Sequence, residues 1–164
     1  YERAAGGSAS NIVVTETELP LPDLGTLPMT EYAVGGDKKV ATTAMGELVV
    51  HVGKQDPNFV VTNADGNAAS GINNINVGLK IVHPTVDDIY FQAPQGQVYE
   101  PLSEDACAGL AVGLALFGAR TLWCSYESFA INGLPIFQTV TQAMAELRRP
   151  TPSTVTLFTA GALE

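Results

Sequence analysis

Short runs of β-branched and apolar residues alternate along the chain with longer segments of helical character, and this alternation limits the possible folds more than any other feature. The clearest strand-like runs are NFVVTN at 58–63, QVYEPL at 97–102, RTLWCSY at 120–126 and STVTLFTAG at 153–161. Parallel strands need a long crossover connection, which is usually a helix. The sequence therefore predicts an α/β domain with a mostly parallel sheet flanked by helices. Ligands of such domains gather at the carboxyl ends of the strands.

Three segments between these runs are predicted to be helices. The first covers residues 39–54 and repeats apolar residues at four-residue spacing on one face, namely Val40, Ala44, Leu48 and Val52. The second starts after Ser103, a favourable N-cap residue, and runs to a glycine stop at Gly118. The third covers about residues 129–148, and Pro135 is expected to kink or restart it.

The remaining segments are predicted to be loops and an extended N-terminal arm. Closely spaced prolines exclude a helix or a central strand near the N-terminus, at Pro20, Pro22 and Pro28. The segment 17–36 is therefore interpreted as an extended arm or an interdomain linker, and the chain as a domain cut from a larger protein. The segments NADGNAASG and HPTVDDIYFQAPQGQ are rich in turn-forming residues and are expected to be loops, whereas VGLKIV is ambiguous.

The charge balance restricts the possible partners. Seventeen acidic residues against eight basic ones give a net charge of −9, and the basic residues form no stripe. This argues against nucleic acid and against an anionic membrane surface as ligands. No stretch is apolar over the roughly 18 residues that a membrane-spanning helix requires. Cys107 and Cys124 lie in apolar segments and match no metal-binding spacing, so they are interpreted as free thiols of a cytoplasmic protein.

A metal site is not expected from this sequence. Asn63, Asp65 and Asn67 alternate like the ligands of a calcium loop, but the glycine stands in the wrong place and the closing glutamate is absent. His51 and His83 each lack a second ligand nearby, so both are interpreted as structural or surface residues.

The stretch PLSEDACAGLAVG places two acids, Glu104 and Asp105, at the start of the second helix. Acids in a first helical turn complement the helix dipole, and taken alone they need no other explanation. Read together with SYESF further along, however, the stretch forms a longer pattern in one register, through Glu104, Cys107, Gly109, Gly118, Tyr126 and Phe129. That pattern resembles the pyrimidine-binding domain of the thiamine-diphosphate-dependent phosphoketolases, and a looser resemblance extends over residues 32–164.

The resemblance implies a function for the acid that opens the helix. Glu104 matches the glutamate that shares a proton with N1′ of the cofactor pyrimidine and so creates the 4′-imino base that removes the thiazolium C2 proton. The apolar, small-residue stretch that follows is suited to a low-dielectric pocket. Tyr126 and Phe129 match aromatic residues that shape the pocket around the aminopyrimidine, and a flat ring favours aromatic walls. Their alternative role is core packing.

Three positions depart from the family pattern. Asp105 stands where the family usually has a histidine, which makes the edge of the site more acidic. Ser70 is the nearest match to a serine that contacts the sugar phosphate, with an offset of one residue, and Ile72 stands where an arginine is expected. Isoleucine cannot make a bidentate phosphate clamp. Either residues outside this chain hold the phosphate, or the substrate differs.

The resemblance implies a lyase that cleaves a ketose phosphate with inorganic phosphate to acetyl phosphate and an aldose phosphate. The isolated chain is expected to be inactive, because in this superfamily a separate domain holds the diphosphate and its magnesium, and the cofactor lies across the interface of a homodimer or larger assembly. Two alternatives remain open from the sequence. One is a transketolase-like transferase domain that passes the two-carbon unit to a sugar, and the other is a non-catalytic α/β assembly module.

Overall fold

The computed structural model describes residues 23–26, 41–64, 73–83, 91–148 and 154–159. Four helices lie within these ranges: α1 (Ala41–Gln55), α2 (Asn74–Leu79), α3 (Glu104–Leu116) and α4 (Ala130–Glu146). Six strands accompany them: β1 (Phe59–Asn63), β2 (Ile81–Val82), β3 (Gln92–Ala93), β4 (Val98–Tyr99), β5 (Arg120–Tyr126) and β6 (Thr154–Thr159). Short 3-10 turns occupy Leu24–Thr26 and Glu127–Phe129.

The six strands form one sheet in the order β3-β2-β4-β1-β5-β6, and every neighbouring pair is parallel. The predicted α/β class with a parallel, helix-flanked sheet is therefore confirmed. The four predicted strands are all present, although the second is confined to Val98–Tyr99. The loop prediction for 83–97 was wrong at Gln92–Ala93, which pairs with β2. The ambiguous segment VGLKIV, at 77–82, contains the last three residues of α2 and all of β2. Strands of two residues carry no periodic signal, because only their neighbours in the sheet define them.

Helices cover both faces of the sheet, so there are two apolar layers. On one face, residues of α1 and α2 pack on β1, β4 and β5 in a cluster that comprises Val49, Phe59, Val61, Ile75, Leu79, Val98, Leu122 and Cys124. On the other face, α3 and the partly buried side of α4 enclose Trp123. Because side chains alternate along a strand, Leu122 and Trp123 of β5 reach opposite layers. This explains why the central strands are apolar runs without polar alternation.

Helix α1 confirms the predicted helix but buries a different face. The buried residues are Gly46, Val49 and Gly53, whereas Ala44 and Leu48 are only partly buried. The glycines let α2 approach closely, since a Cβ on Gly53 would lie 2.7 Å from the Leu79 methyl carbons. The apolar periodicity alone gave the wrong face, because the face in contact with α2 is lined by the smallest residues of the helix.

Helix α4 passes through Pro135 without interruption from Ala130 to Glu146, so the expected restart does not occur. Pro135 lacks the N–H that would bond the carbonyl of Ile131, one turn back. Ile131 is 71% exposed, so water can reach this part of the helix.

The predicted glycine stop of the second helix is confirmed at the end of α3, where Gly118 has φ +93°.

The part of the predicted N-terminal arm that is described, residues 23–26, contacts the last turns of α1. The Asp23 amide donates to Gln55 Oε1 at 3.0 Å, and Thr26 Oγ1 lies 3.2 Å from His51 Nε2. His51 thus takes part in a structural contact, as the sequence suggested.

Within the described residues, no helix has the length and apolar character to cross a bilayer.

Gln97 joins three parts of the fold just before β4. Its Nε2 lies 3.0, 2.9 and 2.9 Å from the carbonyl oxygens of Gly53, Asp56 and Phe59, which belong to α1, the following turn and β1. The amide group therefore holds the end of α1 against the start of the sheet.

We expect Gln97→Ala to lower the free energy of unfolding by about 2 kcal/mol, because each lost hydrogen bond contributes about 1 kcal/mol and partly buried carbonyls lose their donor. Urea unfolding measures the change. The matched control is Gln95→Ala, at an exposed position two residues earlier, which should change stability by less than about 0.5 kcal/mol. Equal effects of the two substitutions would contradict the role assigned to Gln97.

Candidate active site

The candidate site lies at the carboxyl edge of the sheet, around the end of β1. Strand β1 sits between β4 and β5, with Thr62 beside Tyr99 and Asn63 beside Cys124. Because all three strands are parallel, the segments that follow them leave the sheet at the same edge. Glu104 opens the helix that follows β4, and Tyr126 ends β5. The fold therefore brings these two predicted site residues to the same edge, on either side of β1.

The start of α3 is built by a conventional N-cap. Ser103 has extended backbone angles (φ −144°, ψ 130°), and its Oγ accepts the Ala106 amide at 3.4 Å. The same hydroxyl donates to Asp105 Oδ1, and this bond holds the pKa of the Asp105 carboxyl below its usual value. Asp105 is exposed. Asp105 thus completes the cap and meets the helix dipole, which accounts for an acid at this position.

Glu104 is in a different environment, although it is the adjacent residue. Its side chain is partly buried, and its Oε2 atom is buried with no hydrogen-bond partner among the residues that the structure describes. Leaving a buried polar atom unpaired costs about 1–3 kcal/mol, so such atoms are rare in folded proteins without a reason. The two acids are therefore unequal: Asp105 caps the helix in solvent, whereas one oxygen of Glu104 is buried without a hydrogen-bond partner among the described residues.

A third carboxylate lies at the same edge. Glu100 directly follows β4, and its Oε1 accepts a hydrogen bond of 2.8 Å from Asn76 Nδ2. Asn76 belongs to α2 and is 7% exposed, so this bond is largely shielded from water. Helix α2 and the turn into α3 are thereby joined across 24 residues of sequence.

Cys107 lies one helical turn beyond Glu104, with no exposed surface. Burial raises the pKa of its thiol to about 12, with further contributions from the charges of Glu104, Glu100 and Asp105. Burial likewise raises the pKa of Cys124 to about 12, with a smaller contribution from Cys107. Both thiols are free, as predicted from the sequence. Cys107 Sγ donates to the Pro101 carbonyl at 3.3 Å, so the protonated thiol supports the turn before α3.

Neither thiol is expected to react with an alkylating reagent in the native protein at about pH 8, since the thiolate is the nucleophile and both groups stay protonated. Counting modified cysteines by mass spectrometry with and without denaturant tests this. Both residues should react once the protein is unfolded. Rapid native labelling of Cys107 would contradict the protonated, structural state described above.

The two aromatic residues that the pattern singled out contact each other. The rings of Tyr126 and Phe129 meet edge to face, with centroids 6.0 Å apart and planes at 82°. Phe129 is 49% exposed, so it does not pack into either apolar layer. The core of this region is supplied instead by Trp123, whose ring stacks on Phe137 at 5.3 Å. The Tyr126–Phe129 pair therefore forms an apolar wall beside the end of β5.

Other predicted site residues lie outside the described part of the chain. These are Ser70, the nearest match to a phosphate-binding serine, and Ile72, which replaces the expected arginine. Asp65 and Asn67 of the apparent calcium loop also fall there. In the ranges that the structure does describe, no three histidine, cysteine or acidic side chains come together as metal ligands.

Comparison with known proteins identifies the family. The family model described as D-xylulose 5-phosphate/D-fructose 6-phosphate phosphoketolase matches residues 43–158. The chain belongs to the phosphoketolase family. A curated relative, a "Probable phosphoketolase" of Bifidobacterium animalis subsp. lactis (strain AD011), is 31% identical over 123 residues. That match covers 68% of this chain and 14% of the relative, so the chain spans a small part of a phosphoketolase of that length.

Sequence reasoning missed three polar residues of this phosphoketolase chain that the fold brings to the site edge. They are Asn76, Glu100 and Asn63, the last of which was considered only as a calcium ligand. Asn63 ends β1 and is 2% exposed, and a polar residue at the carboxyl end of an apolar strand was the available signal. Glu100 gave a similar signal, since it follows a strand directly. No sequence pattern indicated Asn76, which lies in the short helix α2 that was not predicted.

Proposed function

We propose that this chain forms the pyrimidine-binding domain of a thiamine-diphosphate-dependent phosphoketolase. Residues 32–164 would form the domain, and residues 1–31 the linker that precedes it. The whole enzyme would cleave a ketose phosphate with inorganic phosphate, giving acetyl phosphate, an aldose phosphate and water. The family membership supports the kind of enzyme, and the fold supports a ligand site at the carboxyl edge of the sheet.

The single observation that carries the proposal is the buried Oε2 of Glu104, which has no hydrogen-bond partner among the described residues. An acid that only complemented a helix dipole would sit in solvent, as the neighbouring Asp105 does. A carboxyl oxygen that is withdrawn from water and unpaired fits a ligand that offers a ring nitrogen for a shared proton. The residues present are thus compatible with the aminopyrimidine of thiamine diphosphate.

Each residue of the site would then have a separate task. When bound, thiamine diphosphate would supply a nucleophilic thiazolium carbon for the ketose carbonyl. Glu104 would hold the proton that it shares with N1′ of the pyrimidine, and its partly buried position keeps competing water away from that contact. Tyr126 and Phe129 would bind the flat ring system, and the Tyr126 hydroxyl would reach the substrate. Ser70 is proposed to contact the sugar phosphate.

Other parts of the proposal concern groups outside this chain. Magnesium and the cofactor diphosphate would be held by another domain of the same enzyme. The cofactor would lie between the two domains, in a homodimer or larger homo-oligomer of a cytoplasmic protein, so the isolated chain would be inactive. Neither nucleic acid nor a membrane is proposed as a partner.

A second candidate is a transketolase-like reaction, in which the two-carbon unit passes to an aldose instead of phosphate. Ile72 keeps this alternative open, because it stands where the phosphoketolase pattern has an arginine that contacts the sugar phosphate. A non-catalytic assembly module has less support, since it leaves the unpaired oxygen of Glu104 unexplained.

The test is an assay of the full-length protein with xylulose 5-phosphate or fructose 6-phosphate, inorganic phosphate and thiamine diphosphate. Acetyl phosphate is trapped as its hydroxamate, and omission of the cofactor or of phosphate provides the controls. We expect hydroxamate only in the complete mixture. Transfer of the two-carbon unit to an added aldose without phosphate would favour the transketolase-like reaction. Absence of both activities and of cofactor binding would favour the assembly module.

A further inference from the structure

The turn between β4 and α3 is short and is held from several sides. It consists of four residues, from Glu100 to Ser103, and Glu104 is the first residue of α3. Pro101 fixes its own φ and restricts the residue before it to extended backbone angles. The Pro101 carbonyl accepts from Cys107 Sγ, and Ser103 is fixed as the N-cap of α3. Glu104 is therefore carried by a backbone segment with little freedom.

Glu100, the first residue of this turn, is contacted by a side chain from helix α2. Asn76 Nδ2 donates to its carboxylate at 2.8 Å, from a position on α2 that is 7% exposed. A hydrogen bond to an ionised acceptor is shorter and about twice as strong as a neutral one. The hydrogen bond from α2 thus orients the Glu100 side chain relative to the sheet. Helix α2 itself packs against α1 and β4.

We propose that Asn76 and Glu100 are a positioning pair, which orients the turn from β4 so that the Glu104 carboxyl meets its ligand in the correct geometry. This inference rests on the proposed function of Glu104. If the contact between α2 and the turn served stability alone, two apolar side chains could make it. A buried polar contact is therefore weak evidence for a purely stabilising role. A hydrogen bond from an amide to a carboxylate at the ligand-binding edge of a parallel sheet is instead suited to holding a neighbouring group in place.

The two carboxylates also act on a common neighbour. Both Glu100 and Glu104 contribute by their charges to the raised pKa of the Cys107 thiol, so both lie close to the first turn of α3. Loss of the contact with Asn76 would loosen one end of the turn, while the N-cap and the helix behind it remain. The expected consequence is a misplaced Glu104 in a folded protein.

The test uses four variants of the full-length enzyme: Asn76→Ala, Glu100→Met, their double mutant, and Glu100→Gln. Methionine matches glutamate in length but accepts no strong hydrogen bond, whereas glutamine keeps an oxygen that can accept from Asn76. Asn73→Ala is the matched control, since Asn73 is exposed, lies next to α2 and makes no side-chain cap bond. Should Asn76→Ala fold poorly, the similarly shaped Asn76→Leu replaces it.

The readouts are the dissociation constant of thiamine diphosphate by titration calorimetry, and kcat and KM for the ketose phosphate. We expect each single loss of the contact to weaken cofactor binding and to lower kcat by about tenfold, with KM within about twofold, because the contact acts on Glu104 and not on the sugar. The double mutant should be no worse than either single mutant. Glu100→Gln and Asn73→Ala should remain within about twofold of the parent enzyme.

Three results would overturn the inference: effects that multiply in the double mutant, Glu100→Gln as impaired as Glu100→Met, or Asn76→Ala equal to the parent. Glu104→Gln, assayed in parallel, separates this failure from that of the proposed function. An inactive Glu104→Gln with a normal Asn76→Ala would reject the positioning pair alone. A fully active Glu104→Gln would reject the function on which the pair depends.

Discussion

Replacement of Glu104 by glutamine is expected to abolish turnover in the full-length enzyme, with a loss of at least about a thousandfold in kcat. Glutamine has nearly the same shape as glutamate and preserves the packing around the partly buried side chain. Its amide, however, cannot share a titratable proton with a ring nitrogen. Steady-state assays of acetyl phosphate formation measure the loss, and thermal unfolding should show a melting temperature close to that of the parent.

Asp105→Asn is the matched control for this experiment. It removes the adjacent acid from the same helical turn, but Asp105 is exposed and its carboxylate bonds to Ser103. We expect activity within about twofold of the parent and a small loss of stability, because a neutral residue meets the helix dipole less well. Near-normal activity of Glu104→Gln would contradict the catalytic role and favour an assembly module. Equal losses at the two positions would show that the acidity of the turn matters, and not Glu104 itself.

The largest effect on stability is expected from Gly133→Ala, which should lower the free energy of unfolding by about 2–3 kcal/mol. A Cβ on Gly133 would lie 2.3 Å from Trp123 Cη2 and 2.8 Å from the Ala108 Cβ. Trp123 has no exposed surface and stacks on Phe137, so it cannot move aside cheaply. The clash outweighs the gain of about 1 kcal/mol that alanine brings to a helix interior. Urea unfolding gives the difference.

Gly113→Ala, in the helix that packs on the same side of the sheet, is expected to stabilise the protein instead. Gly113 lies inside α3, and no atom of the described residues is within 4 Å of the position that its Cβ would take. Alanine should therefore stabilise the protein by up to about 1 kcal/mol through its helix propensity. If both substitutions stabilise, the close packing of α4 against Trp123 is not rigid. If both destabilise equally, backbone effects and not the clash explain the result.

The local elements of this fold were predictable because their signals lie within one or two turns of chain. Ser103 predicted the start of α3, and Gly118 predicted its end. The apolar run 120–126 predicted the central strand β5. Helix α2 and the two-residue strands β2 and β3 were not predicted, since they are short and depend on contacts with α1 and with one another. The buried face of α1 was also misassigned, because glycines line it.

The candidate site also has a part that could be predicted from the sequence and a part that could not. The pattern from Glu104 to Phe129 could be read from the sequence, because its residues follow one another over a single helix and strand. The Asn76–Glu100 contact could not, because it joins residues 24 positions apart through a helix that has no sequence signature.

The sequence by itself determined the α/β class, the cap that begins α3 and the position of two acids at a strand's carboxyl edge, since each depends on local periodicity or backbone chemistry. Only the tertiary structure showed that the side chains of the two acids lie in different surroundings. Asp105 is turned to solvent and bonded to Ser103, while an oxygen of Glu104 is buried without a partner in the described chain. Adjacent residues of a helix point about 100° apart, so the packing of α3 on the sheet assigns them to different surroundings.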